Sequence, residues 1–471
     1  MKLRELRDYQ SKTNLIMNEN KKGIIVFPTG SGKTLTFMEH AKNFLFPGNV
    51  ILIVSPRLLL NQQLLSEFDQ HLHYYDFVLR EVSSQSKIFK RDRKKMIVQS
   101  KRPTTISSEI AETYRIAKDQ NLPLVLFSSF DSLNKVIESN IPISVAYFDE
   151  AHNCVKSNYF SDVKRVSKKA DRCYFFTATP RYTESRSPNG VGMNNENVYG
   201  KIIAQISFKY LVEKGYVVPP FLHIQKSDSC IKNSHPEQVD FNTIKENVEY
   251  YEENFSEVPA HKILYCMKGT LNIQNLLTNT EFQSWATSKG YNVLSIDSVN
   301  GGYVNGKFIT KEKFIDELKT FGNNPDAKML ILHYEMISEG IDISGITGVC
   351  FLRNVTNTTF ITQCIGRCIR PAGEWKKHGI VSIVQHQDDT DETCDLTKEI
   401  VNSLIEIGVP LDAVSNDVSG RGMDEEVVEN LREQFERQYK EIELEWHHSQ
   451  WFAEIEEMIR SDEEAFIKDV F

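Results

Sequence analysis

The sequence lacks what would place it outside the soluble globular class. No apolar run approaches the roughly 18–20 residues a membrane helix needs, and the opening MKLRELRDYQ has no apolar core of the signal-peptide kind. A cytoplasmic or nuclear protein without a membrane partner is therefore expected. None of the eight cysteines, Cys154, Cys173, Cys230, Cys266, Cys350, Cys364, Cys368 and Cys394, sits in a CxxC pair. They read as reduced, mostly buried thiols rather than a local zinc motif or redox couple. Short-period repeats and biased tracts are missing as well, which excludes collagen-like, mucin-like and largely disordered chains.

A surplus of positive charge is also missing, since the net charge is −9. That deficit is local. Residues 421–471 hold 16 acidic and 6 basic side chains, a balance of −10, which leaves 48 acidic and 49 basic residues in positions 1–420. The body is neutral enough to carry a basic groove, so overall charge does not exclude nucleic acid. At 471 residues the chain exceeds what one hydrophobic core supports, and two domains plus an appendage are expected.

Short, unbroken β-branched and aromatic runs recur at Ile24–Phe27, Val50–Val54, Leu124–Phe127, Val145–Phe148 and Tyr174–Phe176. Such runs mark parallel strands buried on both faces. Segments of helical period lie between them, as at Leu35–Phe44 and Leu58–Phe68, so the first part reads as a doubly wound α/β domain over 1–205. A loop-like stretch, Thr183–Asn197, precedes its end. A second set at Ile263–Met267, Val293–Ile296, Met329–Leu332, Val349–Leu352 and Ile380–Val384 predicts another α/β domain over 206–395. Past the turn-rich Ser415–Met423, Val428, Leu431, Phe435, Tyr439, Ile442 and Trp446 recur at spacings of three and four, and Phe452, Ile455 and Ile459 continue the pattern. An acidic helical extension over 396–471 follows, whose apolar stripe either packs on the second domain or receives a protein partner.

The first strand runs directly into Phe27-Pro28-Thr29-Gly30-Ser31-Gly32-Lys33-Thr34. Here the glycines let backbone amides close around phosphates, Lys33 reaches the transferring phosphate, and the Thr34 hydroxyl ligates magnesium. Phe27 stands where the strict GxxxxGK[ST] pattern has its first glycine, so a chance GxGKT turn is the alternative at this point. Val145–Phe148 then ends in Asp149-Glu150-Ala151-His152. Two carboxylates at a strand end suit a metal ligand, Asp149, and a group that orients and deprotonates water, Glu150. ATP and Mg2+ are the implied cofactors.

With the DEAH tetrapeptide Asp149–His152, the chain resembles the superfamily 2 helicases and translocases, and further motifs of that family appear in order. Leu6-Arg7-Asp8-Tyr9-Gln10 resembles the Q-motif region, which implies that Arg7 and Gln10 help bind ATP, the glutamine recognising adenine. Ser55-Pro56-Arg57 and Ser128-Ser129 resemble strand-end contacts to the nucleic-acid backbone. Thr177-Ala178-Thr179-Pro180 resembles motif III, implying that His152, Thr177 and Thr179 couple the nucleotide site to the track. Lys262–Lys268 resembles motif IV, Ser338-Glu339-Gly340-Ile341-Asp342 motif V, and Gln363–Arg370 motif VI. The resemblance implies nucleotide contacts from Gly340, Asp342 and Gln363, and nucleic-acid contacts from Ser55, Arg57, Ser128, Lys268 and Ser338. It also implies two tandem RecA-like domains. Arg367 and Arg370, three apart on a predicted helix, are expected to leave one face together as arginine fingers from the second domain.

The combination LRDYQ, FPTGSGKT, YFDEAH and YFFTATP is closest to DNA-directed members, including the motors of type I and type III restriction enzymes and related phage and viral helicases. DNA is therefore favoured over RNA, with an RNA helicase and an ATP-gated clamp that does not unwind as the rivals. No PD…(D/E)xK nuclease constellation appears, and His447-His448 lacks metal-ligand spacing. The basic stretch Lys87–Arg102 is either a phosphate contact or a solvated face. A monomer or weak oligomer is expected.

Overall fold

The computed structural model describes residues 5–56, 68, 71–72, 74–83, 103–182, 190–227, 236–297, 301–334, 345–352, 358–386, 390–410 and 413–419. Among these the chain divides into two compact units, one ending at Ser207 and the next beginning at Phe208. The stretch 87–102, nearly all of Leu58–Phe68 and the acidic segment 421–471 lie outside the described residues.

In the first unit the order is α1 (Asp8–Glu19), β1 (Lys22–Val26), α2 (Lys33–Ala41), β2 (Val50–Ser55), β3 (Val78–Val82), α3 (Ser107–Asp119), β4 (Leu124–Ser129), α4 (Leu133–Glu138), β5 (Val145–Phe148), α5 (Ser157–Lys169), β6 (Arg172–Thr177), α6 (Glu196–Tyr199) and β7 (Ile202–Gln205). The strands form one sheet in the order β3-β4-β2-β5-β6-β1-β7, and every pairing is parallel. Parallel strands need covering on both faces, which explains why β2, β4 and β5 are buried along their whole length. Because all strands run one way, their carboxyl ends share one edge of the sheet. Nucleotides bind at that edge in open α/β sheets.

The second unit continues with α7 (Phe208–Glu213), β8 (Pro220–Ser227), α8 (Pro236–Asn254), β9 (Lys262–Cys266), α9 (Thr270–Thr278), α10 (Thr280–Ser288), β10 (Tyr291–Asp297), β11 (Gly301–Val304), β12 (Lys307–Ile309), α11 (Lys311–Asn323), β13 (Lys328–His333), β14 (Gly348–Phe351), α12 (Thr358–Cys368), β15 (Gly379–His386), α13 (Thr390–Glu406) and β16 (Ser415–Ser419). Its sheet runs β12-β11-β10-β13-β9-β14-β15-β8-β16, parallel except for the β10-β11-β12 meander at one edge. Both units are thus parallel α/β sheets, as the strand spacing predicted. At the other end the structure departs from the sequence reading. Helix α13 runs through the expected boundary at 395/396, and Ser415–Ser419, read as turn, pairs with β8 as an outer strand. Its polar composition is tolerated because Asp417 accepts from the Tyr250 hydroxyl at 2.6 Å while the backbone completes the ladder.

Two buried histidines stabilise the units only while neutral. His40, bonded through Nδ1 to the Tyr147 hydroxyl at 2.7 Å, is pushed down to about 3 by burial and by Arg172. His223, stacked on Tyr250 and bonded to the Ser382 hydroxyl at 3.0 Å, is also pushed down by burial to about 3, against the pull of Asp417. Between that value and the ordinary 6.5 the unfolded chain binds the extra proton, so the stability is full above 6.5 and is lost as pH falls. From pH 7 to pH 5 the loss is about 2 kcal/mol per histidine. Urea unfolding of the second unit in His223→Gln should therefore be less pH-dependent than wild type by about that amount. Equal pH slopes would show that His223 is not held neutral.

Candidate nucleotide site

Strand β1 ends at Val26, and its continuation is tied to β6 by the Phe27 amide donating to the Thr177 carbonyl at 2.8 Å. The loop then closes on itself, with the Ser31 hydroxyl donating to the Pro28 carbonyl at 2.6 Å. Gly30 and Gly32 both have φ near +84°, in the left-handed region that glycine enters without cost. At Gly32 a second constraint applies, because a Cβ there would overlap the Gln10 side-chain nitrogen. Helix α2 starts at Lys33 with no side-chain cap. Its first-turn amides are those an α-helix cannot pair internally, and with the helix dipole they suit an anion.

Helix α1 braces this loop from outside. The Arg7 guanidinium donates to the Gly30 and Ser31 carbonyls at 3.2 and 3.3 Å, and the Gln10 amide donates to those of Ser31 and Gly32 at 3.2 and 3.1 Å. The Tyr9 hydroxyl also bonds the Ser31 carbonyl. Gln10 is 1% exposed, and its oxygen accepts from the Arg7 amide at 2.8 Å. Arg7 and Gln10 therefore lie against the Gly30–Gly32 loop, and Gln10 uses both ends of its amide on the protein itself. Tyr9, which the sequence reading passed over, completes the brace.

The carboxylates come from the end of β5, two strands from β1 in the sheet. Asp149 is buried, its amide bonded to the Val54 carbonyl at 2.8 Å and its Oδ1 accepting from the Glu150 amide at 3.1 Å. Glu150 has φ +47° and ψ +53°. Among the described residues it is the only side chain other than asparagine held at positive φ outside glycine. That conformation costs roughly 1–3 kcal/mol and persists where the surroundings enforce it, commonly at functional sites. Here it aims Glu150 Oε1 at Lys33 Nζ, 3.3 Å away, while the same ammonium donates to the Phe27 carbonyl at 3.3 Å.

From Glu150 a polar chain runs into β6. Glu150 Oε2 lies 3.7 Å from His152 Nδ1, which is 3.3 Å from the Thr177 hydroxyl, and that hydroxyl donates to the Thr179 carbonyl at 3.0 Å. The Asn153 side-chain amide donates to the Glu150 carbonyl at 3.0 Å and faces His152 Nε2 at 3.1 Å. With Nε2 accepting from Asn153, Nδ1 is the ring nitrogen turned toward the Thr177 hydroxyl. Lys33, Glu150, His152, Thr177 and Thr179, chosen from separate sequence motifs, are brought together. Pro28, Thr29 and Thr34 line the same loop and first turn, Thr34 half-buried. Asp149 and Thr34 are the pair fitted by donor chemistry to a hard divalent cation beside phosphates.

Other expected residues fall differently. Ser55 ends β2 and Ser128 is the penultimate residue of β4, at the same sheet edge, but both are fully buried, and the Ser128 hydroxyl donates to the Ser129 carbonyl at 2.9 Å. As placed, neither offers a surface to a phosphate backbone. Lys268 follows β9 and is half-buried. Arg57, Ser338, Gly340 and Asp342 lie outside the described residues. Gln363 and Arg367 are on α12, but the helix ends at Cys368, so Arg370 is not on it. Arg367 is buried and Arg370 exposed, which corrects the expectation of two guanidiniums leaving one helix face. Pro371 supplies the reason, because a following proline disfavours the helical conformation at Arg370.

Residues 3–182 match the model of the family described as the type III restriction enzyme res subunit. No curated protein sequence matches the chain significantly. Among solved structures, the ATP-dependent type ISP restriction-modification enzyme LlaBIII bound to DNA aligns over 93% of this chain and 33% of its own, at 17% identity and TM-score 0.65. A nuclease-deletion mutant of the type ISP enzyme LlaGI, in complex with a DNA substrate mimic, aligns over 93% and 31% at 17% identity and TM-score 0.60. A DEAD box protein from the hyperthermophile Methanococcus jannaschii aligns over 87% and 92% at 13% identity and TM-score 0.50. The chain spans about a third of each restriction-modification enzyme. The resemblance to helicase motors of the restriction-enzyme type is supported over residues 3–182 by the family model and over both sheets by a shared RecA-like fold. Among the described residues no helix is long and apolar enough to cross a membrane.

Proposed function

We propose that the protein is a magnesium-dependent ATPase of the DEAH type that moves along or separates DNA. The observation that carries the proposal is the polar chain from Lys33 through Glu150, Asn153 and His152 to Thr177 and Thr179. Such a chain lets the state of the nucleotide site bias the segment after β6, which a binding scaffold would not require. Lys33 and the loop amides hold the phosphates, Glu150 orients and deprotonates the attacking water, and Asp149 with Thr34 would hold the ion. The ion supplies neutralisation of the charge that develops on the phosphate oxygens. Arg367, with Arg370 in a lesser role, is the arginine finger contributed by the second unit, and Gly340, Asp342 and Gln363 complete the nucleotide contacts.

Nucleic acid is taken as a backbone rather than as a sequence, because a motor that steps over any sequence cannot depend on base edges. The contacts assigned to Ser55, Arg57, Ser128, Lys268 and Ser338 then require Ser55 and Ser128 to become accessible when the track binds. A first domain over 1–205, an intracellular setting, a partner at the acidic C-terminal segment and a monomeric or weakly oligomeric chain belong to the same proposal. ATP turnover measured with single-stranded DNA, forked DNA and RNA tests it. DNA should stimulate more than RNA, irrespective of sequence and with steep salt dependence. Stimulation by RNA alone would make it an RNA helicase, and turnover indifferent to every nucleic acid would leave only an ATPase. Stimulation without strand displacement or triplex disruption would leave the gated clamp.

A further inference from the structure

In the second unit, Cys266, His333 and Cys364 converge although they lie far apart in sequence. Cys266 ends β9 and His333 ends β13, and the two are register partners in adjacent parallel strands, so their side chains leave the same face of the sheet. Cys364 lies on α12, one turn before Arg367. One donor atom from each residue lies within 4.8 Å of the other two, and Cys266 Sγ is 3.4 Å from His333 Nε2. All three side chains are fully buried. His333 Nδ1 has no hydrogen-bond partner among the described residues, so the imidazole is only partly satisfied by the protein.

We propose that Cys266, His333 and Cys364 bind a thiophilic d10 cation, zinc. Ordinary Zn–S and Zn–N lengths in a tetrahedron place a sulfur and a nitrogen ligand about 3.6 Å apart, close to the distance between Cys266 and His333 here. Two thiolates neutralise a divalent charge, so the filled site is electrically neutral, as an apolar core requires. Three protein ligands leave the fourth zinc position for a further donor. The bound ion ties α12 to the ends of β9 and β13, and so fixes the helix that carries Arg367. The ordinary alternative is a core contact in which a thiol bonds the imidazole, with no ion involved.

The test uses the full untagged chain, reduced and purified without chelator. Elemental analysis should find about one zinc per chain, and apo protein should take up Zn2+ with a rise in thermal midpoint that Mg2+ does not reproduce. Co2+ should give thiolate-to-cobalt charge-transfer absorption. Cys266→Ala and Cys364→Ala should each lose the ion and the absorption, whereas Cys350→Ala, which removes a buried thiol outside the cluster, should keep both. Wild-type measurements decide even if a variant fails to fold. Wild type that takes up no zinc, or a folded Cys266→Ala/Cys364→Ala double variant that takes up as much, overturns the proposal. None of these readouts depends on ATP turnover, so a failed helicase assignment leaves them interpretable.

Discussion

Glu150→Gln should bind ATP at least as tightly as wild type and hydrolyse it about 10²–10⁴-fold more slowly. The carboxylate stands 3.3 Å from Lys33 Nζ, so it competes with phosphate for that ammonium. Replacing it with a neutral amide removes the competition and the base together. Lys33→Ala should fail differently, losing turnover through loss of phosphate grip, because the ammonium is a ligand in ground and transition states alike. Fluorescent-nucleotide titration combined with single-turnover phosphate release separates the two. Near-normal release in Glu150→Gln would sink its assignment as the hydrolytic carboxylate. Near-normal release with weakened binding would make Glu150 a structural partner of Lys33 instead.

The elements legible in the sequence were those whose burial is purely apolar. All ten strands read from hydrophobic runs are present, because a strand covered on both faces must be apolar throughout. Two of the missed strands, β3 and β8, bury polar groups with specific partners. In β3, Arg80 and Glu81 interrupt the run, yet Arg80 is buried and paired with Glu109 and Thr113, while Glu81 accepts from Ser83. In β8, His223 and Gln225 break it, and Gln225 is satisfied by the Thr243 carbonyl and the Asn247 amide. A pattern of hydrophobicity cannot register a polar side chain whose partner lies in another element.

The same limit governs the site. Loop and carboxylates were legible because phosphate and water chemistry dictates residue types at short spacing, and the motif III residues were legible through the family resemblance. That Gln10 would spend its amide on the Ser31 and Gly32 carbonyls, or that Ser55 and Ser128 would be sealed at the strand ends, depends on neighbours far away in sequence. The soft-donor cluster of Cys266, His333 and Cys364 is invisible for that reason too, since sheet register and a helix crossing bring it together rather than a local motif.

Arg367→Ala should lower the maximal ATP turnover rate by about 10³–10⁵-fold, with little change in ATP affinity, as expected of a guanidinium that engages charge developing during transfer. Arg370→Ala should cost markedly less, and the backbone explains the inequality. Arg367 is in the last turn of α12 and buried, so its path is fixed by packing. Arg370 lies beyond the helix end and is exposed, although Lys376 anchors its carbonyl at 2.6 Å and that of Ile346 at 2.5 Å. An exposed side chain beyond the helix end must pay more ordering entropy on reaching the transition state than one held by packing. Arg367→Lys serves as the folding control, because it keeps charge and much of the packing while losing the planar fork, and it should also be slow. Equal losses at 367 and 370 would show that both arginines act as one unit despite their separation. An Arg367→Ala protein with native circular dichroism, weakened ATP binding and an unchanged maximal rate would instead make Arg367 a ground-state phosphate ligand.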